Sequence, residues 1–169
     1  MDTEHVLTQL ASNAERISQL VNHVPESAHH WKPSPTEWSI VEVVNHLTDE
    51  ERDDFRLRID MVLHQPGVPL PPIDPEGWVV ARAYNERALK PSLDKFLRER
   101  AYSIDWLRQR QNPAWDNVSE QPWGIITAGD FLASWLAHDF LHIRQLTEIH
   151  YQYTMMTMHP YQVMYAGQW

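Results

Sequence analysis

The sequence predicts an all-α protein, a four-helix bundle with one long crossover. Three observations carry that prediction. Apolar residues recur at spacings of three and four along four long segments. A stretch with five prolines separates the second segment from the third. No stretch alternates convincingly as a strand, and only 5 glycines are present to make tight turns. The 169 residues suit a single domain, 1–169, and are enough to bury a core without staples.

The first helix is expected from about Asp2 to His23. Val6, Leu10, Ile17, Leu20 and Val24 share its apolar face, with Asn13 the one polar lapse. Pro25 ends it, and the stretch to Trp38, with three prolines and two Trp, reads as an ordered loop. Ser39-Ile40-Val41-Glu42 is a capping box, so a second helix starts there and runs to about Leu63. Its middle is crowded with acids: Asp49, Glu50, Glu51, Asp53 and Asp54. Residues His64 to Gly77 form the Pro-rich crossover loop between helices two and three.

Trp78 to Leu89 is expected as a short helical piece, and Pro91 suits the first turn of the third long helix. Leu93, Leu97, Arg100, Ile104 and Leu107 make its stripe, and Asn112-Pro113 stops it. Thr127 to Asp130 opens the last and most apolar helix, expected to reach about Tyr153. The tail is rich in Met and Tyr, so it is expected to pack on the bundle.

Composition closes several functional classes. No cysteine means no disulfide, no protein thiolate nucleophile and no Cys-ligated metal. A formal net charge of −9 argues against a nucleic-acid partner. No segment resembles a membrane span or a signal peptide, so the expected setting is cytoplasmic, away from membranes. The sequon Asn117-Val118-Ser119 then carries no expectation of glycosylation. No H-E-x-x-H, P-loop, G-x-G-x-x-G or G-x-S-x-G motif occurs.

The candidate chemistry lies with histidine. On the last helix Phe131, Trp135, His138, His142, Gln145 and Ile149 step by three and four, which places His138 and His142 on the core-facing stripe one turn apart. Two imidazoles at that spacing can converge on one metal ion. The pair by itself is weak, since shuffling 10 His over 169 positions gives about 0.6 such pairs. The plainer alternative is two core histidines hydrogen-bonded in a wet bundle. A third ligand must come from another helix, and His46 is the candidate, although a lone His beside acids is usually a surface group.

Two segments carry a resemblance. Trp38-Ser39-Ile40-Val41-Glu42-Val43-Val44-Asn45-His46-Leu47 resembles the W-S-x-x-E-x-x-x-H-L opening of a helix in the DinB-like (DinB/YfiT) family. His138-Asp139-Phe140-Leu141-His142-Ile143-Arg144-Gln145 resembles that family's H-D-x-x-H-x-x-Q helix. Trp31 before Pro33 and the closing Tyr165-Ala166-Gly167-Gln168-Trp169 are similar to family members too. The resemblance implies a four-helix bundle, often a homodimer. It also implies one divalent ion, commonly zinc or nickel, on His46, His138 and His142. Family members include enzymes that use a small thiol cofactor and others proposed as hydrolases. The resemblance thus implies a small-molecule substrate, with a low-molecular-weight thiol as a candidate co-substrate. A non-catalytic metal- or ligand-binding dimeric module is the alternative.

Three neutral His with an open position form the ligand set of a catalytic metal site. Glu50, one turn beyond His46, is a candidate catalytic base or ligand-orienting group, against the plainer expectation of a solvated acid. Asp139 and Gln145 are candidate supports of the ligands, with Asp139 placed to pair across helices instead. Ser134 is expected near the pocket or as a small packing residue. Arg82 and Arg144 are candidate anion binders or ordinary salt-bridge partners, and Trp135 is expected as pocket wall or core.

Overall fold

In the computed structural model, which describes residues 2–169, four long helical rods make the bundle. Helix α1 spans Thr3–Asn22 and is capped by the Asp2 side chain. The second rod is built in three parts: α2 (Ile40–Asp49), a π-helical turn (Glu50–Phe55) and α3 (Arg56–His64). A short α4 (Pro75–Ala81) precedes α5 (Leu89–Arg108). The last rod is α6, Ala128–Met158, which runs past Tyr153. The expected capping box at Ser39 is present, with Ser39 Oγ accepting from the Glu42 amide and Glu42 accepting from the Ser39 amide.

Two apolar clusters fill the bundle. One joins Leu7 and Leu10 of α1, Ile59 and Val62 of α3, Leu107 of α5, and Leu132 and Trp135 of α6. The other joins Ile17 and Val21, Val43 and Leu47, Leu93 and Phe96, and Leu146 and Ile149. The order of these residues gives the topology. α1 and α6 run from the first cluster to the second, while α2–α3 and α5 run the other way. The connection from α3 to α5 therefore travels back along the length of the bundle, which explains its length. Its proline content suits an extended path that needs few backbone donors.

Each rod changes character between the clusters. Asn13, Glu50, Glu51, Arg100, Asp139 and His142 are buried there. A polar layer thus crosses the bundle at mid-height. Asn13, the polar lapse of α1, and Arg100, in the stripe of α5, both belong to it.

Three expectations are corrected. Strands exist: β1 (Val118–Gln121) and β2 (Gly124–Thr127) pair antiparallel through a two-residue turn. Gly124 supplies the backbone for that turn at φ +143°, a value side chains rarely adopt. The crossover becomes helical at Pro75 rather than Trp78, because Asp74 caps the Gly77 amide there. The tail packs only in part: Trp169 stacks on Tyr151 with centroids 4.4 Å apart, while Tyr161, Met164 and Tyr165 stand exposed. Asn117 serves a structural end, donating to the carbonyls of Val62 and Leu63 at 3.2 and 3.1 Å. No helix among the described residues is long and apolar enough to cross a membrane.

Candidate metal centre

His46 comes from α2, four residues before the π turn begins, and His138 and His142 come from one face of α6. The polar layer brings all three together. One ring nitrogen of each lies within 4.8 Å of the other two. His138 Nε2 is 3.3 Å from His46 Nε2 and 3.0 Å from His142 Nε2. Nitrogens held about 2.1 Å from a common ion at tetrahedral angles stand roughly 3.4 Å apart.

The proton inventory favours a cation at the centre. Gln145 Oε1 lies 2.8 Å from His142 Nδ1, so that nitrogen donates and Nε2 presents its lone pair to the centre. His138 Nε2 faces both other rings, and a single N–H cannot point along both contacts. Burial lowers the pKa of His46 to about 2 and of His138 to about 3, each with a further push from His142. Burial lowers that of His142 as well. The rings are neutral at physiological pH, as ligands must be. The donor set therefore fits one divalent ion with a position left for a further ligand.

Glu50 is no solvated acid. It is 4% exposed, and its Oε1 lies 3.8 Å from His46 Nδ1. Both atoms lack a hydrogen-bond partner among the described residues. Burial first, then the neighbouring Asp54, raises the Glu50 pKa to about 9. Burial thus favours the protonated carboxyl beside His46.

Asp139 points away from the histidines. It accepts from Arg100 Nη1 and Nη2 at 2.8 and 2.7 Å and from Asn13 Nδ2 at 3.1 Å, pairing across helices. Arg100 also donates Nε to Glu51 Oε1 at 2.8 Å, which accepts Trp135 Nε1 at 2.8 Å. Trp135 is therefore core. Arg82 is a salt-bridge partner of Asp49 and Asp53. Ser134 is exposed one turn before His138. Arg144 makes no ion pair among the described residues and lines the mouth of the site.

That mouth is a cavity of ≈ 820 Å³ bounded by the histidines, Trp38, Ile73, Arg144 and Trp169. Trp38 was not singled out from sequence, although it opens the α2 motif. Its ring is parallel to His142 (3°, centroids 6.3 Å) and tilted on His46 at 4.8 Å. It walls one side of the cluster with apolar surface.

The sequence profile of the DinB superfamily matches residues 9–146, which include the α2 motif and all three histidines. The chain belongs to the DinB superfamily. Solved structures agree on the fold of this DinB-superfamily chain. YfiT from Bacillus subtilis is described as a probable metal-dependent hydrolase with an unusual four-helix bundle topology. It superposes with a TM-score of 0.79 at 19% identity, covering 90% of this chain and 87% of YfiT. The mycothiol-dependent maleylpyruvate isomerase superposes with a TM-score of 0.65 at 15% identity, covering 86% of this chain and 61% of the isomerase. No curated protein matches the chain by sequence.

Proposed function

We propose that this chain is a metal-dependent enzyme holding one divalent ion, zinc or nickel, on His46, His138 and His142. It acts on a small-molecule substrate by thiol S-transfer or by hydrolysis. The observation that carries the proposal is the convergence of three neutral imidazoles, with the lone pair of His142 Nε2 turned inward by Gln145. The descriptions of YfiT as a probable metal-dependent hydrolase and of the isomerase as mycothiol-dependent support it.

When bound, the ion supplies Lewis acidity that lowers the pKa of a water or thiol placed beside it. The protein's own groups do the rest. Gln145 fixes the tautomer of His142. Glu50 Oε1, 3.8 Å from His46 Nδ1, stands where a small shift lets it accept that N–H while Nε2 faces the ion. Trp38 keeps water off one side of the cluster, and Arg144 offers positive charge at the mouth. Because the chain has no cysteine, any thiol must arrive with a co-substrate.

Elemental analysis of protein purified without a histidine tag is expected to show one metal per chain. His46→Ala, His138→Ala and His142→Ala are each expected to lower that occupancy sharply. A matrix of metals, thiols and electrophiles then separates the transferase from the hydrolase. Turnover lost in a folded His142→Ala variant supports the enzyme. Metal-dependent stability without any turnover supports the non-catalytic module. Absence of stoichiometric metal, with uptake unchanged in the variants, overturns the proposal. The reading includes a homodimer, the state that the family resemblance implies. A monomer mass by light scattering overturns that part alone.

A further inference from the structure

A second cleft, of ≈ 610 Å³, opens beside the histidine cavity between the crossover and the hairpin. Its lining is mostly apolar, with Phe55 and Phe131 from the helices, Ile73 from the crossover and Trp123 from the hairpin turn. Trp123 is 69% exposed on the rim. The cleft adjoins the candidate metal centre. Ile73 lines both spaces. Phe55 packs edge-on against His138 with centroids 5.2 Å apart, and Ser134, which lines the cleft, sits one turn before His138.

The polar part of the lining is Asp54, Arg58, Glu120, Gln121 and Ser134, and Arg58, paired with Asp54, is its one cation. Arg58 is 7% exposed and lines the cleft. Its Nε donates to Asp54 and its Nη2 to the Pro71 carbonyl at 2.9 Å. No hydrogen bond engages Nη1 among the described residues. Asp54 and Pro71 anchor the guanidinium, so its orientation is set before any ligand arrives. A largely apolar cleft whose one cation keeps a donor free of its Asp54 partner suits a ligand with an apolar body and a single anionic oxygen group.

We propose that this cleft is the subsite for an apolar carboxylate, aliphatic or aryl, whose carboxylate meets Arg58 and whose body points past Ile73 toward the histidines. The proposal rests on the metal-dependent reading for what happens at that far end. Binding in the cleft itself needs only the protein.

Calorimetric titration with octanoate, butyrate and 1-octanol, on chelator-treated and metal-loaded protein, tests it. Each buried methylene is worth about fourfold in affinity, so octanoate is expected to bind roughly two orders of magnitude tighter than butyrate. Octanoate is also expected to exceed 1-octanol about tenfold or more, through Arg58. Chelation is expected to change octanoate affinity by less than about threefold, which separates this test from the metal reading. Ser134→Trp, at an exposed position, is expected to weaken octanoate about tenfold or more while metal content stays unchanged. Arg58→Lys is expected to bring octanoate close to 1-octanol. The proposal falls if octanoate and butyrate bind alike, if Ser134→Trp binds octanoate as well as the parent, or if chelation abolishes binding. Since Ser134 is exposed and the ligand series needs no variant, misfolding of Arg58→Lys leaves the test intact.

Discussion

At His142 one hydrogen bond decides which nitrogen carries a lone pair, and that makes Gln145 a positioning residue. Gln145→Ala removes the acceptor of His142 Nδ1–H and lets the ring exchange tautomers. Metal affinity, read by competition with a chromophoric chelator, is expected to fall about tenfold or more, while the melting temperature of the metal-free protein barely moves. Glu50 makes a prediction of opposite character. In the metal-free fold its pKa is raised to about 9 by burial, above the 4.5 of an ordinary glutamate. The native state favours the protonated carboxyl, so its stability is full below pH 4.5 and declines as pH rises toward 9. Glu50→Gln keeps the shape and removes the charge. Chelator-treated Glu50→Gln is therefore expected to melt close to the parent at pH 5 and a few degrees above it at pH 8 to 9. Equal melting temperatures at both pH values would show that Glu50 is ionised without cost.

The elements differ in how openly the sequence announces them. α2 starts where Ser39 and Glu42 can cap each other, a signal contained in four residues. Ser39→Ala removes the cap of the helix that carries His46, and with it the bond from Ser39 Oγ to Asn85 at 2.7 Å. It is expected to cost about 1–2 kcal/mol by urea denaturation, with metal binding weakened less than by Gln145→Ala. The π turn had no such signal. Its acids look like a solvated face on a helical wheel. Only the packing of α5 and α6 against Glu50–Phe55 shows that Glu50, Glu51, Asp54 and Phe55 turn inward. π turns recur at functional sites because they re-aim side chains, and here the re-aimed set includes Glu50 beside His46 and Phe55 beside His138. The hairpin escaped notice because four-residue strands hold too few alternations to read, and Gly124 was the one local cue.

Across the whole molecule, the periodicity of apolar residues was enough to predict a four-helix bundle, and two short motifs pointed to the three histidines. The polar layer joining them was not legible, because a lone Asn13 or Arg100 in an apolar stripe looks like noise until its partners are known. Those partners come from four separate rods: Asn13 on α1, Glu51 on the π turn, Arg100 on α5 and Asp139 on α6. The layer also sets the helix facing, since Asp139 directed at Arg100 leaves His138 and His142 turned toward His46. Two carboxylates surround one guanidinium in a buried setting, with Glu51 Oε2 lacking a partner. Among the described residues Arg100 is the one cation paired with Glu51 and Asp139, so Arg100→Met strands two buried anions. Breaking a buried pair in this way costs about 3–5 kcal/mol, and loss of that size is expected in urea. The compensated variant Glu51→Gln, Arg100→Met, Asp139→Asn removes all three charges together and is expected to recover most of it. Its metal affinity is the sharper readout. If the layer serves stability alone, the compensated variant binds metal like the parent. If the layer aims the α6 histidines, affinity stays reduced after stability returns, and the second outcome is the one this geometry predicts.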